Sequence, residues 1–303
     1  MKLLVTGAWK SGKTQLDKLR GLGYDVVFMQ NEKDDLPISP NQIEGVVCNG
    51  LFLYHDIKNF TSLKYIQLTS AGFDRVPMDY VNEKGIKIFN ARGVYSIPMA
   101  EYALWGVLSL YKRARFFEAN RSEKKWEKHR EIPELFGKTV AIVGCGNVGF
   151  ECAKRFKAFG CNLLGVDLFD GENETFGKIS PIEKIDEVLK ISDVVVLTLP
   201  LTEKTRGLFN EERFSVMKEG SVLVNVARGA IVEEKALVKA LKEKLFGAAI
   251  DVFETEPLDE KSELWNLENV IVTPHNSFVG ENNEERLSRV ILNSLELNPK
   301  EEK

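Results

Sequence analysis

The sequence lacks the features that mark membrane-spanning, secreted and nucleic-acid-binding proteins. Its 303 residues contain no apolar run near the roughly 20 residues of a membrane span, and the N-terminal apolar stretch stops at Gly7, too early for a signal peptide. The four cysteines form no CxxC pair and no disulfide-dense pattern, so we expect a reducing, cytoplasmic location and predict no metal site. The 41 basic residues do not outnumber the 45 acidic ones, and a formal charge of −4 predicts neither a nucleic-acid nor a membrane partner.

The composition is that of a globular protein, 44% hydrophobic and 28% charged, at a length that predicts about two domains. Short β-branched runs alternate with amphipathic stretches, which predicts parallel sheets with helices on their faces. The predicted strands are LLVTG, DVVFM, EGVVCNG, LKYIQLTSAG and GIKIFNA in the first half, and KTVAIVG, CNLLGVD, SDVVVLTLP, GSVLVNVARG, FGAAIDVF and NVIVTPH in the second.

Two segments are expected to connect the resulting α/β units. A long helical pattern runs from Ile97 to Arg115, and the second crossing lies near residues 275–285. A charged link follows from Phe117 to Pro133, and a last helix is expected from about Glu281 to Leu297. The basic stretch from Lys112 to Arg130 interleaves glutamates with its cations, which favours a solvated helix or a subunit contact over nucleic-acid binding.

The first of two glycine-rich loops, Gly7–Thr14, matches the GxxxxGK[ST] pattern of nucleotide triphosphatases letter for letter. In such an enzyme Lys13 would reach the terminal phosphates and Thr14 would hold Mg²⁺. Hydrolysis also needs an acidic metal ligand after a later strand. The strand EGVVCNG ends in Cys48 and Asn49 instead, so a chance match is the favoured interpretation.

The second loop, GCGNVG, follows a predicted strand and opens a predicted helix. Gly144 would allow the tight turn, Gly146 the approach of a pyrophosphate, and Gly149 close packing of helix on strand. Asp167 ends the next strand 167 − 144 = 23 residues on, where a carboxylate would bind the adenine-ribose hydroxyls. No cation follows before Lys178, so the pattern predicts NAD rather than NADP.

Three later strands of the second unit end in side chains suited to reduction of a keto acid. Arg228 would bind a carboxylate or polarise a carbonyl, and His275 would deliver the proton. Glu256, with Glu254 as its rival, would hold the imidazole and favour its charged form. Each residue also has a structural interpretation: a surface arginine at a helix start, a loop glutamate before a proline, and a core histidine.

The chain resembles the D-isomer-specific 2-hydroxyacid dehydrogenase family over nearly its whole length, through GKTVAIVGCGNVG, DVVVLTLPLTEKTRGLFN, GSVLVNVARGAIVEEKALVKAL, GAAIDVFETEPL and NVIVTPH. The resemblance implies two doubly wound parallel-sheet α/β domains. A Rossmann NAD-binding domain, residues 97–275, would be inserted in a flavodoxin-like substrate domain, residues 1–96 and 276–303. A homodimer is also implied.

The resemblance also implies the site residues. Arg228 would bind the substrate, Glu256 would partner His275, and the amides of Ala71 and Gly72 would hold the substrate carboxylate. Cofactor contacts are implied at the three loop glycines and at Asn147, Val148, Asp167, Leu199, Pro200, Thr205, Val226, Ala227, Arg228 and Asp251.

The expected activity is NADH-dependent reduction of a small 2-keto acid, such as glyoxylate or hydroxypyruvate, to a D-2-hydroxy acid. The loop CNGLFL carries none of the cations that phosphoglycerate-specific relatives have after the third strand. D-3-phosphoglycerate dehydrogenase stays the main alternative, with Arg75 or a partner-subunit cation as its phosphate site. A dinucleotide-binding regulator on the same fold is the alternative of another class, although retention of Arg228, Glu256 and His275 argues against it.

Overall fold

The computed structural model describes residues 1–297, which form two compact units. Unit 1 comprises Met1–Tyr95 and the segment from Gly280 onward, and unit 2 comprises Ser96–Val279. Unit 1 is therefore discontinuous in sequence. Each unit is built on one sheet.

Unit 1 contains a five-stranded parallel sheet in the order β2-β1-β3-β4-β5. This is the flavodoxin-like strand order. The central strands β3 and β4 are buried along their whole length because apolar clusters cover both faces of the sheet. The strands are β1 (Lys2–Thr6), β2 (Asp25–Met29), β3 (Gly45–Cys48), β4 (Tyr65–Leu68) and β5 (Lys87–Phe89).

The helices of unit 1 are α1 (Lys13–Gly21), α2 (Met78–Glu83) and a C-terminal helix, Asn283–Leu297. Apolar side chains of the C-terminal helix pack with Leu3 and Val5 of β1 in one cluster. Trp9 is buried there and donates from Nε1 to Ser288 Oγ at 3.0 Å. The returning helix thus completes one layer of unit 1.

Unit 2 contains an eight-stranded sheet in the order β13-β12-β11-β10-β6-β7-β9-β8, parallel except for the β8–β9 pair. Counted from β6 without the antiparallel edge strand, β9-β7-β6-β10-β11-β12 is the Rossmann order 3-2-1-4-5-6. The strands are β6 (Thr139–Val143), β7 (Asn162–Asp167), β8 (Gly171–Asn173), β9 (Gly177–Pro181), β10 (Val194–Leu197), β11 (Val222–Asn225), β12 (Gly247–Ile250) and β13 (Val270–Val272).

Helices cover both faces of this sheet. Alternate residues of β6 face opposite clusters: Val140 and Ile142 pack towards α3 and α5, and Ala141 and Val143 towards α6, α7 and α8. The helices are α3 (Ser96–Tyr111), α4 (Ala114–Ser122), α5 (Asn147–Ala158), α6 (Ile185–Leu189), α7 (Glu211–Val216) and α8 (Glu234–Glu243). The predicted α/β class with two doubly wound sheets is confirmed.

Two predicted details are wrong. The helix expected over residues 97–115 ends at Tyr111, because Arg113 takes a left-handed backbone conformation with φ 52°, and α4 then covers part of the expected link. The strands β8 and β9 were also missed. In β9 only Ile179 and Ser180 are buried, so no apolar run marks it.

No helix in residues 1–297 is both long and apolar enough to cross a bilayer.

Candidate active site

Three neighbouring strands of unit 2, β11, β12 and β13, bring the predicted catalytic side chains to one sheet edge. Arg228 follows β11, Glu256 lies in the loop after β12, and His275 follows β13. Because these strands are parallel and adjacent, their carboxyl ends lie side by side. In open α/β sheets this edge is where ligands bind.

His275 and Glu256 form a direct pair, with His275 Nδ1 2.8 Å from Glu256 Oε2. The other carboxylate oxygen accepts from the backbone N–H of Phe253 at 3.1 Å, which fixes the orientation of the carboxylate. A carboxylate on Nδ1 selects the tautomer that carries its proton there and leaves Nε2 for chemistry. Glu254, the rival partner, is exposed. In the part of the chain that the structure describes, it makes no hydrogen bond or ion pair with His275.

His275 has a left-handed backbone, φ 50°, which is uncommon for a residue with a side chain and needs support from its surroundings. Asp251 supplies that support and is fully buried. Its backbone oxygen accepts from the His275 N–H at 2.8 Å, and its carboxylate accepts from the N–H groups of Asn276 (2.7 Å) and Ser277 (2.8 Å). The Asp251 carboxylate therefore points into the protein, although the resemblance implies a cofactor contact there.

Two residues that the sequence did not single out complete this network. The Thr273 hydroxyl donates to Asp251 Oδ1 at 2.6 Å and is hydrogen bonded to the Tyr102 hydroxyl at 2.7 Å. Burial raises the pKa of Tyr102 above its ordinary value, so this hydroxyl is neutral. No sequence signal marks the contact, because Tyr102 lies 171 residues from Thr273.

The Arg228 loop is braced by the buried side chain of Asn225. Asn225 Oδ1 accepts from the Ala227 N–H at 3.0 Å, and its Nδ2 donates to the Arg228 carbonyl at 3.2 Å. Gly229 is required by space, since a Cβ there would lie 1.8 Å from the carbonyl carbon of Phe253. The loops that carry Arg228 and Glu256 are thus in contact. Val226 and Ala227 are buried in the same loop.

The second glycine loop has the shape that a pyrophosphate requires. Gly144 has φ +102°, and a Cβ at Gly149 would lie 2.0 Å from the Gly144 carbonyl oxygen. A Cβ at Gly146 would meet nothing within 4 Å, so the space above this residue is open. Helix α5 begins at Asn147, next to the partly buried Val148, and has no side-chain N-cap. The N-terminal turn of such a helix suits an anion.

Asp167 ends β7 and braces this loop. Its Oδ2 accepts from the Cys145 N–H at 2.6 Å, and its Oδ1 accepts from the Leu168 N–H at 2.7 Å. Each oxygen keeps a lone pair for a ribose hydroxyl. Burial, aided by the charge of Asp167, raises the pKa of the Cys145 thiol to about 12, so this thiol is neutral.

The remaining predicted cofactor residues, Leu199, Pro200 and Thr205, follow β10. The Leu199 backbone nitrogen would lie 2.6 Å from a Cβ at Gly144, which places this loop against the glycine loop. Thr205 Oγ1 accepts from the Thr202 N–H and donates to the Pro200 carbonyl, both at 2.8 Å. This hydroxyl therefore shapes its own turn.

In unit 1, the predicted substrate loop follows β4. Asn90 Nδ2 donates to the Ala71 carbonyl at 2.6 Å, and Ser70 Oγ donates to the Gly72 carbonyl at 3.0 Å. The backbone N–H groups of Ala71 and Gly72 make no hydrogen bond within residues 1–297, so both can donate to a carboxylate.

The first glycine loop makes several of its backbone hydrogen bonds within the protein. The Gly12 N–H donates to Gln15 Oε1 at 3.0 Å, and the side chain of Trp9 anchors the loop in the core of unit 1. The Gly12 N–H is therefore not available to a phosphate bound at Gly7–Thr14. No cluster of potential metal ligands occurs in the described part of the chain.

Comparison with known proteins agrees with this site. Residues 104–277, more than half of the chain, match the model for "D-isomer specific 2-hydroxyacid dehydrogenase, NAD binding domain". A hydroxypyruvate reductase of Thermotoga maritima is 37% identical over 220 residues, which cover 71% of this chain and 70% of that protein. A D-3-phosphoglycerate dehydrogenase of Methanocaldococcus jannaschii is 37% identical over 235 residues, which cover 76% of this chain but only 44% of that protein. The chain thus spans less than half the length of this relative.

A solved structure extends the likeness to both units. The crystal structure of D-lactate dehydrogenase from Aquifex aeolicus, in complex with NAD and lactic acid, aligns with a TM-score of 0.78 and 27% identity over 97% of this chain and 94% of that chain. The residues matched to the family model include the second glycine loop, Asp167, Arg228, Glu256 and His275. These residues lie in an NAD-binding domain, and the chain belongs to the D-isomer specific 2-hydroxyacid dehydrogenase family.

Proposed function

We propose that the protein reduces small 2-keto acids to D-2-hydroxy acids with NADH. The observation that carries this proposal is the 2.8 Å pair of His275 and Glu256 at the carboxyl edge of an NAD-binding sheet, beside the loop of Arg228. Unit 2 would bind the cofactor through Gly144–Gly149 and Asp167, and unit 1 would bind the substrate.

Each side chain has a distinct task in this proposal. The Arg228 guanidinium binds the substrate carboxylate and polarises the keto oxygen. His275 donates its Nε2 proton to that oxygen, while Glu256 stabilises the imidazolium that precedes the transfer. The bound nicotinamide supplies the hydride. The Ala71 and Gly72 amides of unit 1 hold the carboxylate end of the substrate.

Glyoxylate and hydroxypyruvate are the proposed substrates, because the loop after β3 lacks cations. Phosphohydroxypyruvate is the second candidate, and the relative named D-3-phosphoglycerate dehydrogenase favours it. Loss of NADH absorbance should be measured with all three keto acids, and the chirality of each product determined. Turnover of none of them would refute the proposal and favour a dinucleotide-binding regulator.

We further propose a homodimer formed through the segment between α4 and β6. Its aromatic side chains face solvent in the single chain, with Trp126 98% exposed and Phe136 76% exposed. Aromatic side chains are enriched at protein–protein interfaces. Sedimentation of the wild type should give twice the chain mass of 34.2 kDa. Trp126→Asp should sediment as a monomer with the mass of one chain. A wild-type monomer would refute this assembly.

A cytoplasmic location is also proposed, supported by four free cysteines, three of them buried. Cell fractionation tests it.

A further inference from the structure

An acidic side chain, that of Glu32, binds backbone and hydroxyl donors at the centre of the carboxyl edge of the unit 1 sheet. Glu32 follows β2, and its Oε1 accepts from the Thr6 hydroxyl and from the Asn49 N–H, both at 2.7 Å. Its Oε2 accepts from the Gly50 N–H, also at 2.7 Å. One carboxylate therefore takes donors from the end of β1 and from the loop after β3.

This position is the one at which a sheet of this order binds ligands. The strands β1 and β3 are neighbours at the point where the strand order reverses, and ligands of flavodoxin-like sheets bind outside their carboxyl ends. Successive backbone N–H groups that converge, like those of Asn49 and Gly50, form an anion site. Here the occupying anion is the protein's own Glu32.

The occupied amides lie beside the proposed substrate loop. Strand β4 pairs with β3, and the Thr69 N–H donates to the Cys48 carbonyl at 2.9 Å where the two strands end. Ala71 and Gly72 follow directly. A Cβ at Gly50 would lie 3.5 Å from Glu32 Oε2 and 3.6 Å from Arg75 Cδ, so the carboxylate and the arginine side chain flank this glycine.

We propose that Glu32 determines substrate specificity by occupying the anion site of Asn49 and Gly50. A substrate with a second anionic group, such as a phosphate, meets a like charge and two amides that already have an acceptor. A neutral substituent, such as the hydroxymethyl group of hydroxypyruvate, meets no such repulsion. This inference rests on the proposed function, because it assumes a 2-keto acid whose carboxylate lies at Ala71 and Gly72.

The test removes the carboxylate and compares two keto acids that differ by a phosphate. Glu32→Ala frees both amides and removes the carboxylate that flanks Gly50 together with the Arg75 side chain. The ratio of kcat/KM for phosphohydroxypyruvate over hydroxypyruvate should rise by roughly 10- to 100-fold, the value of one hydrogen bond to a charged group. An unchanged ratio in a folded variant would overturn the inference, as would a wild type that prefers phosphohydroxypyruvate.

Glu44→Ala is the matched control. Glu44 also accepts from a backbone N–H of unit 1, that of Lys2 at 2.7 Å, but it precedes β3 and lies at the opposite edge of the sheet. Its loss should leave the ratio unchanged. Glu32→Gln, which keeps the shape of the side chain, should shift the ratio in the same direction by less. It decides the matter if Glu32→Ala does not fold.

A binding experiment separates failure of this inference from failure of the proposed function. Inorganic phosphate is titrated into ¹⁵N-labelled Glu32→Ala and wild type, and the amide signals of Asn49 and Gly50 are followed. Saturable shifts of these two signals in the variant alone support the site even if no keto acid is reduced. Shifts spread over the surface, or none, would overturn it even in an active reductase.

Discussion

Thr273→Val tests whether the buried network behind His275 stabilises unit 2. The substitution keeps the side-chain shape but removes the hydroxyl that donates to Asp251 at 2.6 Å and bonds to Tyr102 at 2.7 Å. A hydrogen bond to a charged group contributes about 1.5–3 kcal/mol, and that is the expected loss in the free energy of unfolding. For the 279 − 95 = 184 residues of unit 2, each kcal/mol lowers Tm by about 2–4 °C, so the loss corresponds to about 3–12 °C.

Differential scanning calorimetry and NADH-coupled assays measure the two consequences. Thr273→Val should lower Tm and kcat together, since the left-handed backbone of His275 loses part of its support. Thr273→Ser keeps the hydroxyl and should restore both. Tyr102→Phe removes only the neutral partner and should cost about 0.5–1.5 kcal/mol. A Thr273→Val protein with the wild-type Tm, or a serine variant as unstable as the valine variant, would show that the Thr273 hydroxyl does not stabilise unit 2.

Three further outcomes are expected. NADH should have a higher kcat/KM than NADPH, because Asp167 would repel a 2′-phosphate, and equal values would mean that the ribose site is misassigned. Mg-ATP should show no calorimetric binding to the loop Gly7–Thr14, whereas tight binding that is lost in Lys13→Ala would mean that this loop does hold phosphates. Although burial opposes it, hydrogen bonds from Lys218 and the Thr139 N–H lower the pKa of Asp193 below its ordinary 3.8. Asp193→Asn should therefore lower the free energy of unfolding above about pH 4. The difference between variant and wild type should disappear as the pH falls through the lowered pKa of Asp193. Urea unfolding at several pH values measures this difference.

The central strands of the fold were predictable because both of their faces are buried. Runs such as VVVL in β10 and VLVN in β11 are apolar throughout because helices cover the sheet on both sides. Strand β9, which lies between β7 and the edge strand β8, was not predictable, because only Ile179 and Ser180 of its five residues are buried. The end of α3 depends on the left-handed conformation of Arg113, which no glycine or proline in the sequence marks.

The candidate site was predictable where its residues follow strands. The sequence placed Arg228, Glu256 and His275 at one edge because parallel strands fix which ends meet. It could not identify Thr273 and Glu32 as structural partners, since each acts through a hydrogen bond that only the folded chain creates. Glu32, for example, lies 17 residues before the Asn49 amide that it accepts from.

The kinetics of His275→Ala test whether the His275–Glu256 pair carries the acid–base chemistry. Loss of a general acid should lower kcat for hydroxypyruvate reduction by about 10²–10⁴-fold, while the Kd for NADH, measured by fluorescence titration, stays near that of the wild type. Glu256→Gln should lower kcat by less, and Glu254→Gln, the matched control, should leave it unchanged. A His275→Ala enzyme with near-wild-type kcat, or a larger loss in Glu254→Gln than in Glu256→Gln, would mean that this pair does not carry out the proton transfer.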